Sequence, residues 1–242
     1  MLNRIKIILG LDNLSLKQIL LKVCLYLFGT IFSTAGMTLA VLNDLGASPM
    51  TTCFAAVAER MGWRLGSMFT LFNSSFLFIG LLFASRYMGI TSLLMLFIQG
   101  PMLNFWHRIF SSQDSWFSGF TPKFCVAIVG FLVTEVGLSV GMSARLGTPG
   151  FESCLFSSAD KLIIEYKYLK IVSEALFLAI GIVLGGAFGI MTFVETFLAA
   201  PISSEIVIRL NNTLLKRLGI DDERNELYRN NRKYRAGVKD SR

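Results

Sequence analysis

Residues 22–42 read KVCLYLFGTIFSTAGMTLAVL, and residues 123–143 read KFCVAIVGFLVTEVGLSVGMS. Each opens on a lysine, reaches a cysteine two places later, and continues apolar for the length of a membrane-crossing helix. Gly29, Ser33, Gly36 and Ala40 share one face of the first; Gly130, Thr134, Gly137 and Gly141 share one face of the second. Small residues at such spacings let helix backbones approach, so both stripes predict helix–helix contacts. The likeness extends outward. At a shift of 101 positions Leu45-Gly46 falls on Leu146-Gly147, Cys53 on Cys154, Glu59-Arg60 on Asp160-Lys161 and Gly80 on Gly181. One residue is then lost, and at a shift of 100 Gly89-Ile90 meets Gly189-Ile190 and Pro101 meets Pro201. Glycines, cysteines, prolines and a charge pair in collinear order mark a duplication.

Each copy reads as four segments. The first holds Lys22–Leu42, a short Pro49–Met61, Ser67–Ser85 and Gly89–Trp106; the second holds Lys123–Ser143, Gly150–Ile164, Leu169–Ala187 and Ile190–Ile208. The predicted fold is an all-α polytopic membrane protein of two tandem repeats. Each repeat has three full transmembrane helices plus one short half helix after a Leu-Gly-x-x-Pro turn. The organisation expected is an amphipathic N-terminal segment over 1–21, repeat one over 22–110, a linker over 111–122, repeat two over 123–210 and a basic tail over 211–242. Ile5, Ile7, Ile8, Leu11 and Leu14 interleave with charges before Lys22, which suits a helix lying on the inner membrane surface.

Composition agrees. The chain of 242 residues is 53% hydrophobic and only 16% charged, with a mean hydropathy of +0.59. Soluble domains carry about 25% charged residues, so a soluble enzyme, a disordered chain and a secreted disulfide scaffold are excluded. The net charge of +7 is concentrated near the ends: from Asn211 to Arg242 nine Lys/Arg face five Asp/Glu. Such flanks suit anionic headgroups and cytoplasmic retention. The partners expected are the lipid bilayer and a small-molecule substrate, with a homodimer left open; no nucleic acid is expected, since headgroup contact and topology account for the basic flanks. Cys24, Cys53, Cys125 and Cys154 have apolar neighbours and no CxxC spacing, so they are read as buried free thiols. His107 is the single histidine, which leaves a zinc site without ligands, and no metal or cofactor is expected. The first apolar block is too long for a signal h-region and reads as a retained span.

Loop charge bears on topology. If the short segments do not cross, there are six spans and the repeats are inverted. If they cross, there are eight, the repeats are parallel, and Arg60, Arg64, Arg108, Lys123, Lys161, Lys167 and Lys170 all lie inside. The positive-inside rule favours the second arrangement. Both put the N- and C-termini in the cytoplasm, at a bacterial inner membrane.

The segment before each short helix is the first candidate site. It runs Asp44-Leu45-Gly46-Ala47-Ser48-Pro49 in one copy and Arg145-Leu146-Gly147-Thr148-Pro149-Gly150 in the other. Gly46 and Gly147 let the chain turn, Pro49 and Pro149 start the helix, and Ser48 or Thr148 is placed to cap it. A helix start below the membrane surface presents free N–H groups and a partial positive charge, a ready anion site. Ser48, Met50, Thr51 and Thr52 in one copy, with Thr148, Gly150, Phe151 and Ser153 in the other, are the predicted substrate-binding residues. A structural reading stands beside this: a corner at the surface with its amides in water.

The Leu-Gly-x-x-Pro turn, and the glycine-initiated last helix of each repeat at Gly89 and Gly189, resemble the bacterial YczE/YyaS/YitT group of integral membrane proteins. The resemblance covers roughly Leu20 to Leu210. The second copy departs from it, with Pro149 one place early and Gly150 where Pro49 stands. It implies a duplicated polytopic fold and a transport role without a substrate.

Three acids form the second candidate set. Glu135 and Glu195 sit mid-span and Glu174 nearer a helix start. A carboxyl in hydrocarbon costs several kcal/mol and tends to mark a cavity or proton relay. Their repeat partners are Thr34, Met95 and Asn73, so all three belong to the second copy. The structural alternative is pairing with a neighbouring polar side chain. Gln99 and Asn104 flank Pro101, in reach of the carbonyls that proline frees. No Walker motif or nucleophile–base set is present, so an enzyme is not expected. The expected function is secondary transport of a small polar or anionic metabolite, coupled to protons through Glu135, Glu195 and Glu174. The competing expectation is a non-transporting membrane scaffold acting through its tail.

Overall fold

Helix boundaries follow the breakers read from sequence. The computed structural model describes residues 15–83, 87–113, 118–144 and 146–210; the expected surface helix before Ser15, the basic tail and Arg145 lie outside them. Among the described residues the chain is all-helical: α1 (Leu16–Leu42), α2 (Pro49–Met61), α3 (Leu65–Phe83), α4 (Ile90–Phe110), α5 (Phe120–Ser143), α6 (Gly150–Leu162), α7 (Tyr166–Val183) and α8 (Ile190–Leu210). Four of these, α1, α3, α5 and α8, are long and apolar enough to cross a membrane. α1 begins at Leu16 rather than Lys22, because Ser15 and Gln18 cap it reciprocally: each side chain bonds the other's backbone N–H.

α1 and α5 form the central pair, and glycine lets their backbones touch. A methyl group on Gly29 would lie 2.6 Å from the Gly137 carbonyl oxygen, and one on Gly36 would lie 2.4 Å from that of Gly130. A methyl on Gly137 would lie 2.3 Å from the Ser33 nitrogen. As residue numbers rise along α1 they fall along α5, so the two helices are antiparallel. The ends agree: Lys123, at the start of α5, pairs with Asp44 just past α1 at 3.9 Å, and Tyr26 packs with Ala144 and Leu146. The Leu-Gly turns therefore lie at opposite ends of the pair.

This corrects the parallel arrangement inferred from loop charge. Counting lysines and arginines weighs a few exposed charges, whereas the contacts between the two small-residue stripes record the direction of the helices directly. The polar side chains within the pair satisfy themselves locally: Thr30, Thr34 and Thr38 each donate to the carbonyl one turn back, at 2.8 to 2.9 Å.

The two 13-residue helices pack crosswise, α2 against α7 and α6 against α3. Phe54 and Phe151 both contact Phe72 and Phe177, which links α2 and α6 through one aromatic layer. Each short helix ends in a left-handed residue, Gly62 (φ 65°) or Ile163 (φ 56°), with the next N–H reaching back to Ala58 or Ala159. Isoleucine in that conformation costs roughly 1–2 kcal/mol, a penalty glycine escapes. Gln99 and Asn104 tie α4 to α3 rather than serving the carbonyls near Pro101. Gln99 accepts from Asn73 at 2.8 Å, and Asn104 accepts from the Gly66 N–H at 3.1 Å. Lys22 is 1% exposed, a buried lysine that composition did not reveal.

Cysteines at Leu39 and Gly130, in a background lacking the native four, should form a disulfide on mild oxidation. The distance from Leu39 Cβ to a Cβ built at Gly130 is 3.1 Å, near the spacing a disulfide needs. Pairing Leu39 instead with Gly141 should give none; the reverse result would restore parallel helices.

Candidate functional site

Two turns and two acids assemble the site. Gly46 and Gly147 both adopt φ 101°, a region open to glycine. Each turn receives the start of a distant helix: the Met191 N–H donates to the Leu45 carbonyl at 3.1 Å, and the Thr91 N–H to that of Leu146 at 3.5 Å. Glycine is needed on both sides of these junctions. A methyl on Gly189 would lie 2.4 Å from the Leu45 oxygen, and one on Gly89 would lie 2.0 Å from that of Leu146.

The first turn delivers a capped helix. Asn43 steadies it, donating to the Leu39 carbonyl and accepting from the Leu45 N–H, both at 2.8 Å. Ser48 is the N-cap of α2, with Pro49 in the first turn; its hydroxyl accepts from the Thr51 N–H at 3.4 Å and donates to the Thr51 hydroxyl at 2.8 Å. Thr52 donates to the Ala47 carbonyl at 3.2 Å. The second turn differs. Pro149 is itself the N-cap of α6 and supplies no side-chain acceptor, because the proline stands one place early. Thr148, expected to cap, instead donates to the Tyr87 carbonyl at 2.7 Å and lies 2.7 Å from the Ser153 hydroxyl.

Glu135 and Glu195 come together. Glu135 on α5 is 4% exposed and Glu195 on α8 is 8% exposed. The Ser203 hydroxyl donates to Glu135, and Ser139 bridges the Glu135 and Ser203 carbonyls at 2.6 and 3.3 Å. The Glu195 carboxyl is within electrostatic reach of Glu135 and of the Ser48 backbone N–H. Among the described residues neither acid belongs to an ion pair. Two buried acids thus lie on adjoining helices, with Glu195 toward the start of α2.

Glu174 stands apart from them. It pairs with Lys170 at 3.5 Å, Lys170 reaches Glu152 at 3.8 Å, and the same ammonium lies 5.5 Å from the Phe151 ring centre. These side chains are partly exposed, so this network is a modest electrostatic tie. The predicted substrate residues divide accordingly. Ser48 and Thr51 lie at the acid pair's end. Met50 packs on the Cys53–Phe54–Phe69–Leu103 cluster, Phe151 joins the aromatic layer, and Gly150 lies against the Phe76 backbone. Thr148 and Ser153 belong to the opposite junction, beside Tyr87. Ser139 and Ser203 went unread in the sequence, although each follows an acid by whole helical turns on its own helix. Asn43 and Lys22 carried no such spacing signal. The cysteines are free, but Cys24 and Cys125 lie on outer helix faces rather than buried. Among the described residues no three His, Cys, Asp or Glu side chains gather to hold a metal.

An all-helical chain with four such apolar helices and buried acids fits a membrane-protein family. The chain belongs to the family of unknown function DUF6198, whose family model matches residues 20–208. No curated protein and no solved structure gives a significant match.

Gly189→Ala and Gly89→Ala should each destabilise the protein by about 1–3 kcal/mol, the range for overpacking a close contact. Thermal unfolding in detergent measures this. An unchanged midpoint would show that the junctions yield without cost.

Proposed function

We propose that this protein is a proton-coupled secondary transporter of a small polar or anionic metabolite. The observation that carries the reading is the meeting of Glu135, Glu195 and the Ser48 end of α2 inside the helical bundle. Buried acids facing no cation are expensive in an apolar layer, and their usual use is to accept and release protons. A helix start beside them supplies N–H donors for an anionic or polar group. The reading needs no cofactor and includes no catalytic step.

In this reading the chain is two inverted repeats. Each has three crossing helices (α1, α3 and α4; α5, α7 and α8) and one short helix that does not cross. The antiparallel α1–α5 pair, the turns at its opposite ends and the crosswise packing of α2 and α6 support it. Inverted repeats with interrupted helices at their interface are a recurring plan among secondary transporters. The resemblance to the YczE/YyaS/YitT group points the same way. Six crossings put both termini on one side. With that side cytoplasmic, Lys161, Lys170 and the basic tail lie inside and Arg60, Arg64, Arg108 and Lys123 outside, at a bacterial inner membrane. The majority of the positive charge then remains inside.

Single cysteines replacing Arg64 and Lys161 should react with an impermeant maleimide from opposite faces of sealed vesicles. Reaction from the same face would overturn the inverted arrangement. Function is tested in proteoliposomes with amino acids, organic acids and sulfur metabolites under an imposed pH gradient. The wild type should accumulate one of these classes, and Glu135→Gln should abolish accumulation driven by the gradient. A folded protein that moves none of them would overturn the transporter reading and favour a scaffold acting through its tail.

A further inference from the structure

We infer that Glu135, Ser139 and Ser203 form a binding site for a single sodium ion between α5 and α8. The inference goes beyond the transporter reading and is tested by binding alone, so that either can fail without the other.

The class of ligand follows from which atoms are left free. Glu135, Ser139 and Ser143 stand four residues apart along one face of α5 and are 4%, 0% and 2% exposed. Hydrogen bonds tie this face to α8. The Ser203 hydroxyl donates to one oxygen of the Glu135 carboxyl. The Ser139 hydroxyl donates to the Glu135 carbonyl at 2.6 Å and reaches the Ser203 carbonyl at 3.3 Å. Both hydroxyl protons are thereby committed, and a hydroxyl that gives its proton keeps its lone pairs. The second oxygen of the Glu135 carboxyl accepts no hydrogen bond among the described residues, although the side chain is more than nine-tenths buried. What the cluster offers is oxygen lone pairs and a carboxylate charge, with no side-chain N–H. That setting repels anions and suits a hard cation.

The protein supplies no cation of its own there. Among the described residues neither Glu135 nor Glu195 belongs to an ion pair. From α8 the charged side chain within electrostatic reach of Glu135 is a second acid, Glu195. On α1 the charged residues are Lys17 and Lys22. Glu135 lies between the contacts of Thr134 with Gly36 and of Gly137 with Ser33, about three turns along α1 from Lys22. A carboxylate held away from water and from any positive charge is costly, and such acids in membrane spans mark ion sites.

Charge and size select the ion. One carboxylate with two hydroxyls balances a single positive charge. Calcium takes about six to eight oxygens and magnesium keeps several waters in an octahedron, more than this cluster provides. Its oxygens stand close, 2.6 and 3.3 Å apart, which favours sodium over the larger potassium. The duplication supplies a comparison. The positions matching Glu135, Ser139 and Ser203 are Thr34, Thr38 and Leu103. Those threonines donate to their own helix, and Leu103 is fully buried in an apolar cluster. One half therefore carries the site and the other is closed by packing, giving one ion per chain.

Sodium and a proton compete for the same carboxylate. The carboxylic acid of Glu135 and a sodium ion give the carboxylate–sodium pair and a free proton; the bond broken is the carboxyl O–H. Sodium affinity therefore falls as the pH falls through the titration of Glu135, with Glu195 the other titratable group bearing on that slope.

The test uses the full-length protein in nanodiscs at alkaline pH, titrated with radiolabelled sodium at an ionic strength held constant with choline chloride. The wild type should bind one ion per chain, displaced by unlabelled sodium and not by equal concentrations of potassium or calcium. Glu135→Gln should abolish binding, and Ser203→Ala should weaken it about tenfold, the scale of one contact to a charged group. The absence of saturable sodium binding by the wild type would overturn the inference. So would displacement by potassium or calcium as effective as by sodium, or binding that survives in a folded Glu135→Gln protein. If Glu135→Gln does not fold, Ser203→Ala decides, and an unchanged sodium affinity there overturns the site. Sodium binding by a protein that accumulates no solute leaves this inference standing and removes the transporter reading; proton-driven accumulation without sodium binding does the reverse.

Discussion

The fold depends on how closely two apolar helices can approach. Lipid is as apolar as leucine, so helices within a bilayer gain little by burying aliphatic surface against each other; they associate through packing and short polar contacts. α1 and α5 do this by removing side chains. With glycine at 29, 36, 130 and 137, the backbone of each helix lies against the other, and any added methyl would fall within 3.1 Å of a backbone atom. The contacting helices run antiparallel, which sends the two Leu-Gly turns to opposite ends, where each meets the start of a helix distant in the chain.

Polar groups buried in that framework fall into two kinds. The threonines of α1 satisfy themselves on the preceding turn, which adds no link between helices. The acids cannot. Glu135 draws on Ser203 and Glu195 on the Ser48 amide, so both depend on α8 lying beside α5 and the α2 turn. By contrast Glu174 and Glu152 are partly exposed and paired with Lys170. The difference in surroundings separates acids that one hydropathy profile had grouped together.

The two short helices are alike in backbone and unlike in chemistry. Both short helices are preceded by a glycine at φ 101° and end in a left-handed residue. One starts with serine and proline in the favoured order and faces an acid; the other starts with proline at the cap and faces a tyrosine carbonyl. A single-place shift of proline suffices, since the ring occupies the position from which a side-chain oxygen would cap.

Read alone, the sequence determined the helical class, the approximate extent of most segments, the short helices after each Leu-Gly turn, and the acids able to carry charge into an apolar layer. These follow from local chemistry: apolar runs of span length, glycine and proline at turns, capping side chains. Helix direction, the partners of Gln99, Asn104 and Thr148, and the meeting of Glu135 with Glu195 were decided by the tertiary structure. Each depends on contacts between segments far apart in the chain, where steric fit at four glycines outweighed the loop-charge count that had favoured parallel copies. Ser139 and Ser203 were legible in spacing but silent in meaning until α5 and α8 lay side by side. Hydropathy records which residues are apolar; only packing determines which polar group finds which partner.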